Sequence, residues 1–173
     1  TCKRSRGGTL EGMSSSRFVS VPTLGLVLDE ALLPSLRPGE FEPFVPDTLS
    51  VEPWPCGTVT GVALLAWLGA AFPQRPLLGL TARPCSDPDG APVRGLSPLG
   101  SGVALVSTRN LADASLVGVM RHEIGHALGL GHCKHCDCAL SQRPHPLPVC
   151  GRPNSFCPSC QERWDALCRG PRP

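Results

Sequence analysis

The 173-residue chain has no tyrosine, and its aromatic residues are limited to five Phe and three Trp. No phenolic hydroxyl is therefore available to any chemistry it performs. It also lacks a long apolar run. The best stretch, "GVALLAWLGAAF" (residues 61–72), falls short of the roughly 18–20 residues a spanning helix needs, and it reads as a core helix. Strong charge of either sign is missing too. The formal net charge is +2, and the one basic cluster, "KRSR" at residues 3–6, is too small to argue for nucleic acid or an anionic membrane. No internal repeat is present. Neither a nucleic-acid nor a membrane partner is expected, and the protein is expected to be a monomer.

Proline (20) and glycine (19) are abundant, which predicts one compact, loop-rich domain of short elements. Residues 1–17 carry no visible chemistry and are expected to form a disordered tail. Residues 18–173 are read as a single domain, with a sheet and helix part (18–131) followed by a Cys-rich segment (132–173). The segment "RFVSVPTLGLVLDEA" (17–31) lacks a small-residue cleavage site and runs into acidic residues, so it reads as strand rather than signal peptide. One or two strands are placed over 18–28, and 34–55 reads as a proline-punctuated connection. A helix is predicted over 58–72, strands at 77–82 and 103–108, and a loop over 83–102. Trp67 belongs to the core.

Ten cysteines are present, seven of them within the last 41 residues beside His132 and His135. Such crowding favours metal over a disulfide framework, and thiols kept as ligands suit a reducing, cytoplasmic compartment. The segment after Gly131 is poor in apolar side chains and needs a staple.

The most informative stretch is "HEIGHALGLGHC", His122 to Cys133. With this composition, HExxHxxGxxH would arise by chance with odds on the order of 1 in 100,000. Asn110 or Asp113 can cap the helix that carries it, and Gly129 can end it. Leu116, Val117, Met120, Ile124, Ala127 and Leu128 form its apolar stripe, while His122 and His126 lie on the other side and Glu123 on the flank. Core packing does not explain the histidines. At i and i+4 they can chelate one ion, and His132, beyond the Gly129 turn, can supply a third nitrogen and leave a fourth position to water. Glu123 is placed to take a proton from that water and pass it to a leaving amine, which is metal-assisted amide hydrolysis. The competing reading is a non-catalytic, zinc-stabilised binding module.

These residues, with Cys133, then four residues to Cys138, and Cys157-x-x-Cys160 separated by sixteen residues from Leu140, resemble the archaemetzincin (archaelysin) metallopeptidases. The resemblance implies an α+β metzincin-like fold: a twisted mixed sheet, an active-site helix, a helix packed on the sheet and a zinc-stapled C-terminal segment. It also implies a peptide or protein substrate and two zinc ions, one catalytic and one structural, the second held by Cys133, Cys138, Cys157 and Cys160. Spacing alone leaves Cys136 in competition with Cys138. Leu140 stands where the family has the methionine that floors the catalytic zinc. The resemblance further places Val103–Ser107 at the sheet edge, where an extended peptide could pair with it.

Overall fold

A computed structural model describes residues 24–29, 48–52, 54–55, 60–73, 76–109, 113–142 and 155–169. The first 23 residues, the Asn110 cap, Cys2, Cys56, His145 and Cys150 lie outside them. Short apolar runs build the centre. "GLVLD" forms β1 (Gly25–Asp29), "LLGLT" forms β3 (Leu77–Thr81) and "VALVS" forms β7 (Val103–Ser107); each is buried along its whole length. Uninterrupted apolar sequence is what a parallel strand covered on both faces requires. β2 (Thr48–Glu52) and the two-residue strand β6 (Gly95–Leu96) complete a five-stranded sheet in the order β2-β1-β3-β7-β6. The first four strands are mutually parallel, and β6 runs antiparallel to β7. β4 (Cys85–Ser86) and β5 (Pro92–Val93) pair as a separate small ribbon.

One face of the sheet carries α1 (Gly61–Ala71), whose start is capped by Thr60 Oγ1 accepting from the Ala63 N–H at 3.2 Å. Leu64, Leu65 and Leu68 pack there with Trp54, Val27, Leu77 and Leu105. Gly79 makes this close approach possible, since a β-carbon on it would stand 2.4 Å from Leu68 Cδ1 and 2.9 Å from the Trp54 ring. Trp67 packs against this cluster with its ring 5.5 Å from that of Trp54, as a core role requires.

The other face holds α2 (Asp113–Ala127), with Leu116, Val119, Met120, Ile124 and Ala127 against Leu26, Leu28, Leu78, Leu80, Ala104 and Val106. Beyond it, α3 (Pro158–Cys168) inserts Cys160 and Trp164 into the same core, and Phe156 stacks on Trp164 at 4.9 Å. No described helix is long and apolar enough to cross a membrane.

Three expectations need correction. The 34–55 connection contains β2, and the 83–102 loop contains three short strands. Val103–Ser107 is not an edge: β3 flanks it on one side and β6 on the other, so the outer strand near α2 is β6.

Candidate metal centres and active site

α2 presents His122 and His126 one turn apart, and its end is fixed by a Schellman motif. Gly129 (φ 94°) reverses the chain, the Leu130 N–H donates to the Gly125 carbonyl at 2.8 Å, and the Gly129 N–H donates to that of His126 at 2.9 Å. The turn brings His132 back beside the other two. The three rings lie 4.4, 5.3 and 4.7 Å apart by centroid, with ligand nitrogens all within 4.8 Å.

Two backbone carbonyls decide the tautomers. His122 Nδ1 donates to the Ala139 carbonyl at 2.8 Å and His126 Nδ1 donates to that of Leu130 at 2.7 Å. A carbonyl oxygen can only accept, so each Nδ1 holds a proton and Nε2 is the nitrogen that each ring turns inward as a ligand. Those two Nε2 atoms face each other at 2.9 Å. Two nitrogens so placed share a cation, a proton in the metal-free chain or a metal ion in its stead, and three imidazole donors suit zinc. The donor set therefore fits the ion.

The side of α2 opposite its apolar stripe is covered as well. His122 is 5% exposed and Glu123 7%. Gly95 of β6 lies over Glu123 so closely that a β-carbon there would come within 2.5 Å of Cγ and 2.7 Å of Oε1. Leu140, fully buried, sits beneath Gly125 between the two helical histidines; a β-carbon on Gly125 would meet its Cδ2 at 2.8 Å. A cleft of about 410 Å³ opens over this group, lined by Gly95, Leu96, His122, Glu123, His126 and His132.

The second group joins Cys133, Cys138, Cys157 and Cys160, whose sulfurs lie within 4.8 Å of one another. Of the two alternatives left open by spacing, it is Cys138 and not Cys136 that enters this group. Cys133 and Cys157 Sγ are 3.7 Å apart. A disulfide needs about 2.05 Å, whereas four thiolates about 2.3 Å from one ion stand about 3.8 Å apart. Backbone N–H groups of His135 and Cys157 point at the sulfurs of Cys133 and Cys138, each at 3.4 Å, as outer partners of ligating thiolates do. Cys157 caps α3. The Ser159 hydroxyl, then the Cys160 N–H, favour its thiolate and bring it down to about 6. Burial instead pushes the Cys138 and Cys160 thiols up.

Three contributors escape sequence reasoning: Gly95 over Glu123, and the Ala139 and Leu130 carbonyls. Backbone acceptors have no residue signature, and Gly95 looks like any other glycine in a turn-rich loop.

Comparison with known proteins agrees with this layout. Residues 109–165 match Peptidase family M54. Archaemetzincin of Methanopyrus kandleri is 32% identical over 93 residues, covering 50% of this chain and 53% of the relative, and that of Aeropyrum pernix is 35% identical over 78 residues, covering 41% and 43%. The matched stretch thus spans about half the length of these relatives. Among solved structures, the M. kandleri archaemetzincin superposes with a TM-score of 0.66 at 21% identity over 85% of this chain and 96% of that one. The Archaeoglobus fulgidus archaemetzincin, crystallised with malonate, gives 0.62 at 24% identity over 82% and 99%. In fold the chain is similar to the archaemetzincins, and over residues 109–165 its sequence matches Peptidase family M54.

Proposed function

We propose that this chain is a zinc-dependent metallopeptidase hydrolysing peptide bonds in peptide or protein substrates. In this reading His122, His126 and His132 hold the catalytic ion and Glu123 is the catalytic base and acid. Cys133, Cys138, Cys157 and Cys160 hold a second, structural zinc, giving two ions per chain. We place it as a monomer in the cytoplasm, where thiols stay reduced, with residues 18–173 as one domain. The observation that carries the reading is the pair of Nε2 atoms turned toward each other, as the two carbonyls hold the Nδ1 sides outward, with a buried carboxylate beside them.

Bound zinc would supply Lewis acidity, polarising a carbonyl and lowering the pKa of water toward about 7. The chain's own groups do the rest. Glu123 accepts a proton from the water whose oxygen bonds to the scissile carbonyl carbon, and returns it to the amine nitrogen as the C–N bond breaks. Burial under β6 limits the carboxylate to a small range of positions. The outer side of β6 offers an extended peptide a strand to pair with, directly above the histidines. With no tyrosine in the chain, no phenol assists the tetrahedral intermediate.

Glu123→Gln should retain two zinc ions per chain and lose peptide cleavage by about 10²- to 10⁴-fold, measured by mass spectrometry on a peptide mixture. Equal cleavage by both proteins, or none by either, would favour the non-catalytic binding module.

A further inference from the structure

On the face of β6 opposite the histidines lies a second cavity of about 470 Å³, lined by Cys85, Val93, Arg94, Ser107 and Arg109 among others. Its lining contains two guanidinium side chains and no carboxylate. Arg94 Nη2 is buried without a hydrogen-bond partner among the described residues. An unsatisfied cationic donor in such a place is costly unless an acceptor arrives. No described group of the cavity wall takes that role in this structure. Burial, and secondarily the Glu123 carboxylate, raise the Cys85 thiol to about 11, so it is neutral at ordinary pH. The Ser107 hydroxyl is engaged elsewhere, donating to the Arg83 carbonyl at 2.5 Å and accepting from the Arg109 N–H at 3.3 Å.

The wall is also stiff. Arg83 Nε binds the buried Asp29 carboxylate at 3.2 Å, the Thr81 hydroxyl donates to the same oxygen at 2.7 Å, and the Ser107 N–H donates to the Arg94 carbonyl at 2.7 Å. Arg94 and Gly95 are consecutive, so one short strand separates the two cavities. Side chains of an extended peptide alternate between faces. A peptide paired along β6 with one residue over Glu123 would therefore send a neighbour toward Arg94 and Arg109.

We propose that Arg94 and Arg109 form a carboxylate-binding subsite, which directs the enzyme to peptides carrying an acidic side chain or a free C-terminal carboxylate next to the scissile bond. The inference rests on the peptidase reading for its purpose, but binding tests it separately from cleavage. Calorimetry on Glu123→Gln uses three sets of short acetylated peptides: neutral and C-terminally amidated, the same with one Glu moved along the sequence, and neutral with a free C-terminal carboxylate. Expected is a preference of about tenfold or more for one carboxylate position over the neutral amide, weakening with salt and collapsing toward parity when Arg94→Gln or Arg109→Gln is added. The second and third peptide sets tell a side-chain carboxylate from a terminal one. Equal binding of all three sets, or a preference that survives both arginine substitutions, overturns the subsite. Arg109 is exposed, so its variant keeps the test valid if the Arg94 variant does not fold. Were the parent to cleave nothing, a carboxylate preference lost with the arginines would still establish the subsite while the peptidase reading fell.

Discussion

Gly95→Ala is the sharpest probe of how Glu123 is placed. Gly95 is not one of the positive-φ glycines, so the substitution introduces no backbone strain and acts through space alone. The new β-carbon would lie 2.5 Å from Glu123 Cγ and 2.7 Å from both Cδ and Oε1, where ordinary contact begins near 3.4 Å. Something must move by about 0.9 Å, the difference between 3.4 and 2.5. β6 is pinned to β7 by pairing at Gly95↔Val106 and Leu96↔Leu105, so the carboxylate gives way first. A shift near 1 Å in a reacting group costs about 10²-fold in rate. Overpacking adds roughly 1–3 kcal/mol of destabilisation, or about 2–4 °C of melting temperature per kcal/mol at this chain length. Zinc content should stay at the parent value, because no ligand is touched. The assay is kcat/KM on a cleaved peptide beside a thermal melt. Parent-level kcat/KM would refute the argument, since it would mean that the carboxylate need not occupy the place the structure gives it.

Two further outcomes are expected. In the metal-free chain Cys138 and Cys160 are pushed up by burial and protonated at neutral pH, while Cys157 at about 6 is already a thiolate. Zinc must displace protons from at least the first two, so its apparent affinity at the thiol site should fall with falling pH by about a hundredfold per unit or more near neutrality, and faster below about 6 as Cys157 also protonates. Competition with a chromophoric chelator measures this, and a flat profile between about pH 6 and 8 would contradict it. Leu140→Ala should cost about 2–5 kcal/mol in denaturant unfolding because its site is fully enclosed, whereas Leu140→Met, similar in volume, should cost less than about 1.5 kcal/mol.

Local pattern made α2 legible: its apolar stripe is buried at Leu116, Met120, Ile124 and Ala127, and Gly129 ends it. The zinc motif was legible for the same reason, since all its parts lie within one helix and one turn. Long-range features were not. The second buried face of α2, with His122 and Glu123, exists because β6 and the 139–141 turn fold over it, and no periodicity inside the helix records that. A two-residue strand such as β6 has no period to detect, so nothing in the sequence opposes the edge position that the resemblance implies for β7. α3 escaped because its buried positions are Cys160 and Trp164, one turn apart, in an otherwise polar sequence. Cysteine there serves both as a candidate ligand and as core.

The two candidate centres are not independent attachments to one fold. His132 and Cys133 are adjacent in the chain, as are Cys138 and Ala139, so each centre begins where the other ends. Ala139 ties them together: its carbonyl receives the His122 Nδ1 proton at 2.8 Å, its N–H donates to Ser155 at 2.8 Å, and its neighbours are the Cys138 thiol and the Leu140 floor. α2 alone sets where the His122 ring is rooted, but not which nitrogen faces the other two rings; that choice belongs to the 138–141 turn. The turn is held on one side by the Cys133 N–H donating to Leu140 at 2.7 Å and on the other by the gathered sulfurs. A divalent ion among the thiolates would lock the turn, and with it the tautomer and tilt of a ligand to the other ion, as outer partners do in metal sites generally. With an ion bound, the thiolate cluster would act as preorganisation for the histidine centre, and the spacing from Gly129 to Cys138 is what lets one short loop serve both.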